Sequence, residues 1–189
     1  MTDNIYAPPK AALTPLYDNT ASALFYVVST RKFLILFFAT VGAYQLFWYF
    51  KNWNQYRHAA GESLWPAPRA LFAIFFTHAL LRKIAAHKPE QAVRPWSHGT
   101  NAWQLVVMAI AAAVLDSLFQ QAVGAPYTKA CSILILIPLA FSYLAVQDQI
   151  NARCGDPAGK SNDKITGANI AWCVIGAVLW IAAIAGMLA

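Results

Sequence analysis

Long apolar runs alternate with short polar segments along this chain once the polar N-terminal stretch has ended. The runs predict helices, because strand-like alternation is absent and a lipid-exposed segment must satisfy its own backbone hydrogen bonds. The five runs are residues 33–50, 70–81, 102–119, 130–146 and 170–189. Four of them are long enough for a helix to cross a hydrocarbon core about 30 Å thick, at about 1.5 Å per residue.

The run over 70–81 is shorter, and as a helix it would cover only about 18 Å. Two structures fit this length: a re-entrant or interface-lying helix, and a short tilted span that borrows residues 64–68. We favour the first, because lipid-exposed backbone next to Pro66 and Pro68 would be costly.

Composition supports a membrane environment. Hydrophobic residues make up 59% of the chain and charged residues 12%, against about 45–50% and about 25% in soluble domains. Residues 1–23 are expected to form a flexible tail, and residues 24–189 a single integral membrane domain. The predicted fold class is an all-α, polytopic transmembrane helical bundle with three to four membrane helices, one of them short and either re-entrant or interfacial.

The net charge of +6 indicates the orientation of the chain in the membrane and not nucleic-acid binding, because the cations lie in short segments between apolar runs. The positive-inside rule compares the numbers of Lys and Arg on the two sides of the membrane, and these numbers are the same whether or not 70–81 spans. In both cases residues 82–101 and 147–169 are expected in the cytoplasm and the C-terminus in the periplasm. The side of the N-terminus stays open.

Aromatic-rich motifs follow the basic pair Arg31-Lys32. The chain reads Gly42-Ala43-Tyr44-Gln45-Leu46-Phe47-Trp48-Tyr49-Phe50-Lys51-Asn52-Trp53, then Trp65-Pro66-Ala67-Pro68-Arg69, and later Val146-Gln147-Asp148-Gln149-Ile150-Asn151. Over residues 26–189 this pattern resembles a family of small bacterial inner-membrane proteins known only as a domain of unknown function. The resemblance implies a bacterial inner membrane, and it brings no activity and no catalytic residue.

Asp116 is the ionisable residue that stands out within a long apolar run, and Gln120 lies one helical turn further on. A charged group in a span costs about 2.5–3.5 kcal/mol on insertion scales and by default suggests function. Asp116 and Gln120 are therefore candidates for an ion or proton pathway. The competing interpretation is an interfacial carboxylate that reaches water or pairs with a cation.

Candidate contacts with lipid head groups cluster around the aromatic motifs. Tyr and Trp favour the head-group layer, and long basic side chains extend towards it from the membrane. The residues predicted for this role are Arg69, His78, Trp48, Lys51 and Trp53.

No metal or cofactor site is predicted. The four histidines lack the i, i+4 spacing of a helical zinc site, and the three cysteines lack a Cys-x-x-Cys motif. Two small-xxx-small pairs, Ala39/Ala43 and Ala182/Gly186, could serve packing within the bundle or contact with a partner subunit.

The sequence thus favours a non-catalytic accessory, interaction or lipid-organising subunit. One alternative is a small oligomeric transporter or channel that uses Asp116, and another is a lipid-modifying membrane enzyme with His78 and Arg69. The expected partners are the lipid bilayer and either a membrane protein or further copies of the chain, but not nucleic acid.

Overall fold

The computed structural model describes residues 23–87 and 93–188, and it is all-helical over these ranges. The predicted tail over residues 1–23 lies outside the described residues, apart from its last residue. The helices are α1 (Thr30–Ala39), α2 (Tyr44–Ala60), α3 (Pro66–Leu71), α4 (Ala73–Ala86), α5 (His98–Gln120), α6 (Tyr127–Leu134), α7 (Leu136–Arg153) and α8 (Gly167–Leu188), with a 3-10 turn at Lys160–Asn162.

Three helical segments in the described residues are long and apolar enough to cross a membrane. They are His98–Gln120, Tyr127–Arg153 and Gly167–Gly186. The second joins α6 to α7 through Ile135. These segments contain the predicted runs 102–119 and 130–146 and most of 170–189, so the predicted class of a polytopic helical bundle is confirmed.

The run 33–50 differs from the prediction, which was one unbroken spanning helix. The chain turns at Thr40–Ala43, where Val41 and Gly42 adopt φ angles of 52° and 82°, and α2 then runs back beside α1. Tyr26 contacts both Asn52 and Tyr44 across this fold, and Gln147 of α7 contacts Trp48. Helices α1 and α2 therefore form a re-entrant pair, which we call the first hairpin.

The tip of the first hairpin lies deep among the spanning helices. Gly42 faces Leu136 at the start of α7, Ala39 packs on Gly176 halfway along α8, and the indole of Trp180 donates to the Phe38 carbonyl at 2.8 Å. Any side chain at Gly176 would overlap the Ala39 backbone. Small residues here let the two helices approach closely.

The backbone at this tip is satisfied locally, as a turn away from water requires. The Thr40 hydroxyl donates to the Leu36 carbonyl at 2.8 Å and accepts from the Tyr44 amide at 2.9 Å. Gly42 donates its amide to the Phe37 carbonyl at 2.8 Å. These bonds pair the amides of the turn, which lowers the cost of placing it inside the bundle.

Helices α3 and α4 form the second hairpin, which contains the run 70–81. Arg69 of α3 stacks on Trp53 in the middle of α2. The α3–α4 junction lies beside Gln45 and Leu46, near the start of α2. Helix α4 then returns, with Thr77 bonded to Tyr49 at 2.7 Å. This arrangement agrees with the re-entrant interpretation of 70–81.

Both hairpins open on the same side of the spanning helices, which we call the hairpin side; the other is the far side. Two contacts hold the ends of the second hairpin, one to the loop after α2 and one to α7. Lys83 forms a 2.8 Å salt bridge with Glu62, and Arg153 donates to the His87 carbonyl at 2.9 Å. The hydrogen bonds that Glu62 accepts from Lys83 and Tyr56 lower the pKa of that carboxyl.

Between the hairpin and α7 runs an extended segment, residues 25–29, that has no neighbouring strand. Four side chains, which we call the amide clamp, bind its backbone instead. Their bonds are Asn52 Oδ1 to the Tyr26 amide (3.1 Å), Gln147 Nε2 to the Tyr26 carbonyl (3.0 Å), Asn151 to both the amide (3.3 Å) and the carbonyl (2.9 Å) of Val28, and Asn162 Nδ2 to the Val27 carbonyl (2.8 Å).

Replacing Asn151 with leucine should lower the free energy of unfolding by about 2–4 kcal/mol, because it leaves a buried amide and a buried carbonyl of Val28 without partners, at about 1–3 kcal/mol each. Denaturant titration of the purified protein in detergent measures the change. The control is Gln149→Leu on the same helix, where the amide makes one long 3.5 Å bond to Arg153. Equal losses in both variants would contradict a structural role for the clamp.

Candidate functional site

A cavity of about 580 Å³ lies between the hairpin tip and the far ends of the spanning helices. Its floor is the α1–α2 turn, and its walls are α5, α6–α7 and α8. Five of the twelve wall residues are alanines, whose small side chains leave space that larger ones would fill. The wall alanines are Ala109, Ala112 and Ala113 on α5 and Ala182 and Ala183 on α8.

The cavity exists because α8 packs mainly against α1 and not along α5. Near the far end the two helices meet again, where Gly186 faces the ring of Phe119. The pair Ala182/Gly186 thus faces into the bundle, as Ala39 does against Gly176. Within the described residues, Ala39 and Gly186 therefore pack inside this chain, whereas Ala182 lines the cavity.

An ion pair marks the far end of the cavity. Asp116 near the end of α5 and Lys129 in the first turn of α6 are joined at 2.8 Å, and their side chains are 45% and 16% exposed. The ammonium also lies 5.3 Å from the centre of the Phe119 ring. Each charge is at the unfavourable end of its own helix dipole, so pairing offsets an electrostatic cost for both.

Two of the four floor residues, Thr40 and Gln45, are polar, and both take part in structural bonds. Gln45 accepts a 2.8 Å hydrogen bond from the buried hydroxyl of Tyr143. Thr40 uses its hydroxyl to close the hairpin turn. The cavity therefore combines apolar walls, a neutral polar floor and a charged rim.

Of the two predicted pathway residues, Asp116 lies at the cavity and Gln120 does not. The side chain of Gln120 is exposed. The prediction did not include Lys129 as the partner of Asp116. The sequence did contain a signal for this pair. A short connection between two spanning helices places Lys129 at the same end of the bundle as Asp116.

The predicted head-group residues separate into two groups. Trp48 and Trp53 are completely buried, which differs from the prediction. The indole of Trp48 donates to Gln147 at 2.6 Å. The rings pack in the core because the hairpin folds them inward against α3 and α7.

The other three predicted residues are partly buried and rest on aromatic rings. Arg69 lies 4.5 Å from the ring centre of Trp53, and Lys51 lies 5.5 Å from that of Phe47. His78 meets Trp103 edge to face at 5.0 Å between ring centres. In the described residues no hydrogen bond joins His78 to Arg69, and no group of three His, Cys, Asp or Glu side chains could hold a metal ion.

The charge distribution separates the two sides. Apart from Lys129, every Lys and Arg within residues 23–87 and 93–188 lies on the hairpin side or on the arms of the hairpins. The three helical segments that are long and apolar enough to cross a membrane indicate a multi-pass integral membrane protein. No family model, curated protein or solved structure matches the chain.

The salt bridge should be measurable by a double-mutant cycle. Asp116→Asn and Lys129→Gln should each lower the free energy of unfolding, and together they should cost less than their sum, with a coupling of about 0.5–1 kcal/mol. Denaturant titration in detergent gives the four values. Strictly additive losses would show that the two side chains do not interact in solution.

Proposed function

We propose that this protein is a non-catalytic accessory subunit of the bacterial inner membrane that organises lipid, and that the 580 Å³ cavity holds a phospholipid. The observation that carries this proposal is the pairing of mostly apolar walls with an ion pair at one end. An amphiphile has the same division between an apolar chain and a polar head.

The ion pair suits a zwitterionic head group. Lys129 offers an ammonium to a phosphate, and Asp116 offers a carboxylate to an amine, so a phosphatidylethanolamine would find a partner for each of its charges. One of its two acyl chains would lie along the alanines between α5 and α8. Because the cavity is bounded by the three helices that cross the membrane, a lipid is the occupant present at highest concentration.

Filling the space that holds the acyl chain should release this lipid. In Ala183→Phe the ring fills the cleft, and phosphatidylethanolamine retained through purification in mild detergent should fall by about tenfold, or about 1.4 kcal/mol. Native mass spectrometry measures the bound fraction. Ala177→Phe is the matched control, because Ala177 is exposed on the same helix and does not line the cavity.

Thermal unfolding of both variants checks that they fold. Equal lipid retention in the two variants, or recovery of the unaltered protein as a lipid-free monomer, would contradict the proposal. The alternative function is a transporter or channel, which the position of Asp116 in the cavity favours. An ion flux in liposomes that Asp116→Asn abolishes would support that alternative instead.

The charge separation supports an orientation with the hairpin side in the cytoplasm. Residues 82–101 and 147–169 would then be cytoplasmic and the C-terminus periplasmic. In a cysteine-free background, Val123→Cys on the far side should react with a membrane-impermeant maleimide in intact spheroplasts. Lys160→Cys should react only after the membrane is permeabilised. The reverse pattern would overturn the orientation.

A further inference from the structure

A second cavity, of about 250 Å³, lies on the hairpin side, between the start of α1 and the loop that leads into α8. It is separate from the 580 Å³ cavity, which lies on the far side of the hairpin tip. The residues that line it are Arg31, Lys32, Ile35, Asp163, Lys164 and Ile165. Three of the six are cations, and one is an acid.

Lys32 is the unusual member, because it is only 4% exposed. Its ammonium donates to Asn162 Oδ1 at 2.6 Å and to the Lys164 carbonyl at 2.8 Å. Both acceptors are neutral, so the charge is hydrogen-bonded without being neutralised, and these bonds use two of three donors. Burial lowers the pKa of Lys32, and the nearby Asp163 opposes that shift.

Two helix starts add to the positive field. Neither α1 nor α8 has an acidic residue in its first turn, although the N-terminal end of a helix favours negative charge. Arg31 and Lys32 occupy the first turn of α1, and Lys164 precedes α8. Asp163 forms no salt bridge with these cations within the described residues. The cavity therefore has an excess of positive charge that an anion would balance.

We propose that this cavity binds a phosphate group. Arg31 and Lys164 are exposed and free to close on an anion from two sides, while Lys32 supplies a fixed ammonium at the base. Ile35 and Ile165 are 40% and 45% exposed beside the cations, which would suit the glycerol and acyl part of a lipid. The phosphate belongs either to an anionic lipid head group or to a free phosphate compound.

The test uses the full chain in a neutral detergent at constant ionic strength. Thermal unfolding is followed while inorganic phosphate, phosphatidylglycerol or diacylglycerol is added. A ligand that binds only the folded state raises the unfolding midpoint with concentration. Phosphatidylglycerol should raise it and diacylglycerol should not, and a rise with inorganic phosphate as well would identify the free anion as sufficient.

Variants locate the effect. Arg31→Gln/Lys164→Gln should need about tenfold more phosphatidylglycerol for the same shift, because two charge-assisted contacts are lost. Lys160→Gln is the matched control, since Lys160 is exposed in the same loop and does not line the cavity. It should stay within about twofold of the unaltered protein, as non-specific surface attraction of one charge is weak.

Two results would overturn the proposal: no shift with either phosphate-bearing ligand, or equal weakening in the double variant and in Lys160→Gln. Neither depends on the lipid in the 580 Å³ cavity, because Ala183→Phe alters that cavity alone. The two proposals can therefore fail separately.

Discussion

The extended segment 25–29 passes through the bundle without a neighbouring strand, and side-chain amides take the place of that strand. Asn151 both accepts from and donates to Val28, as the backbone of a paired strand would. Gln147 links this contact to Trp48 of the first hairpin. A buried backbone group without a partner costs about 1–3 kcal/mol. The clamp therefore determines where the chain can enter the bundle.

This constraint positions the rest of the fold. Once residues 25–29 are attached to α7, the start of α1 is fixed beside the loop before α8, and the turn at Val41–Gly42 falls beside Leu136. The hairpin tip then forms the floor of the large cavity, and the basic start of α1 forms one wall of the smaller one. Both proposed binding sites are consequences of how deeply the hairpin is inserted.

Run length and apolarity predicted the class of fold and the three spanning segments, because both properties act over many residues at once. They could not distinguish the hairpin over 33–50 from a span. That difference depends on Gly42, which adopts a positive φ at no steric cost, and on Thr40, which bonds the turn. Asp116 was found because a charge in an apolar run is conspicuous. Its partner Lys129 depends on a contact across the connection between α5 and α6.

The amide clamp explains why the motifs were informative without indicating chemistry. Asn52, Gln147 and Asn151 all lie within the aromatic-rich motif and the motif over residues 146–151 of the sequence, and all are fully buried in structural bonds. Their polarity serves the backbone and not a ligand. The charged side chains that do not bind the backbone in this way lie at the two ends of the described structure. Several cations lie on the hairpin side, and the Asp116–Lys129 ion pair lies on the far side. A bilayer that surrounds the three apolar helices would present phosphate near both ends, which is why both proposals name phosphate-bearing ligands.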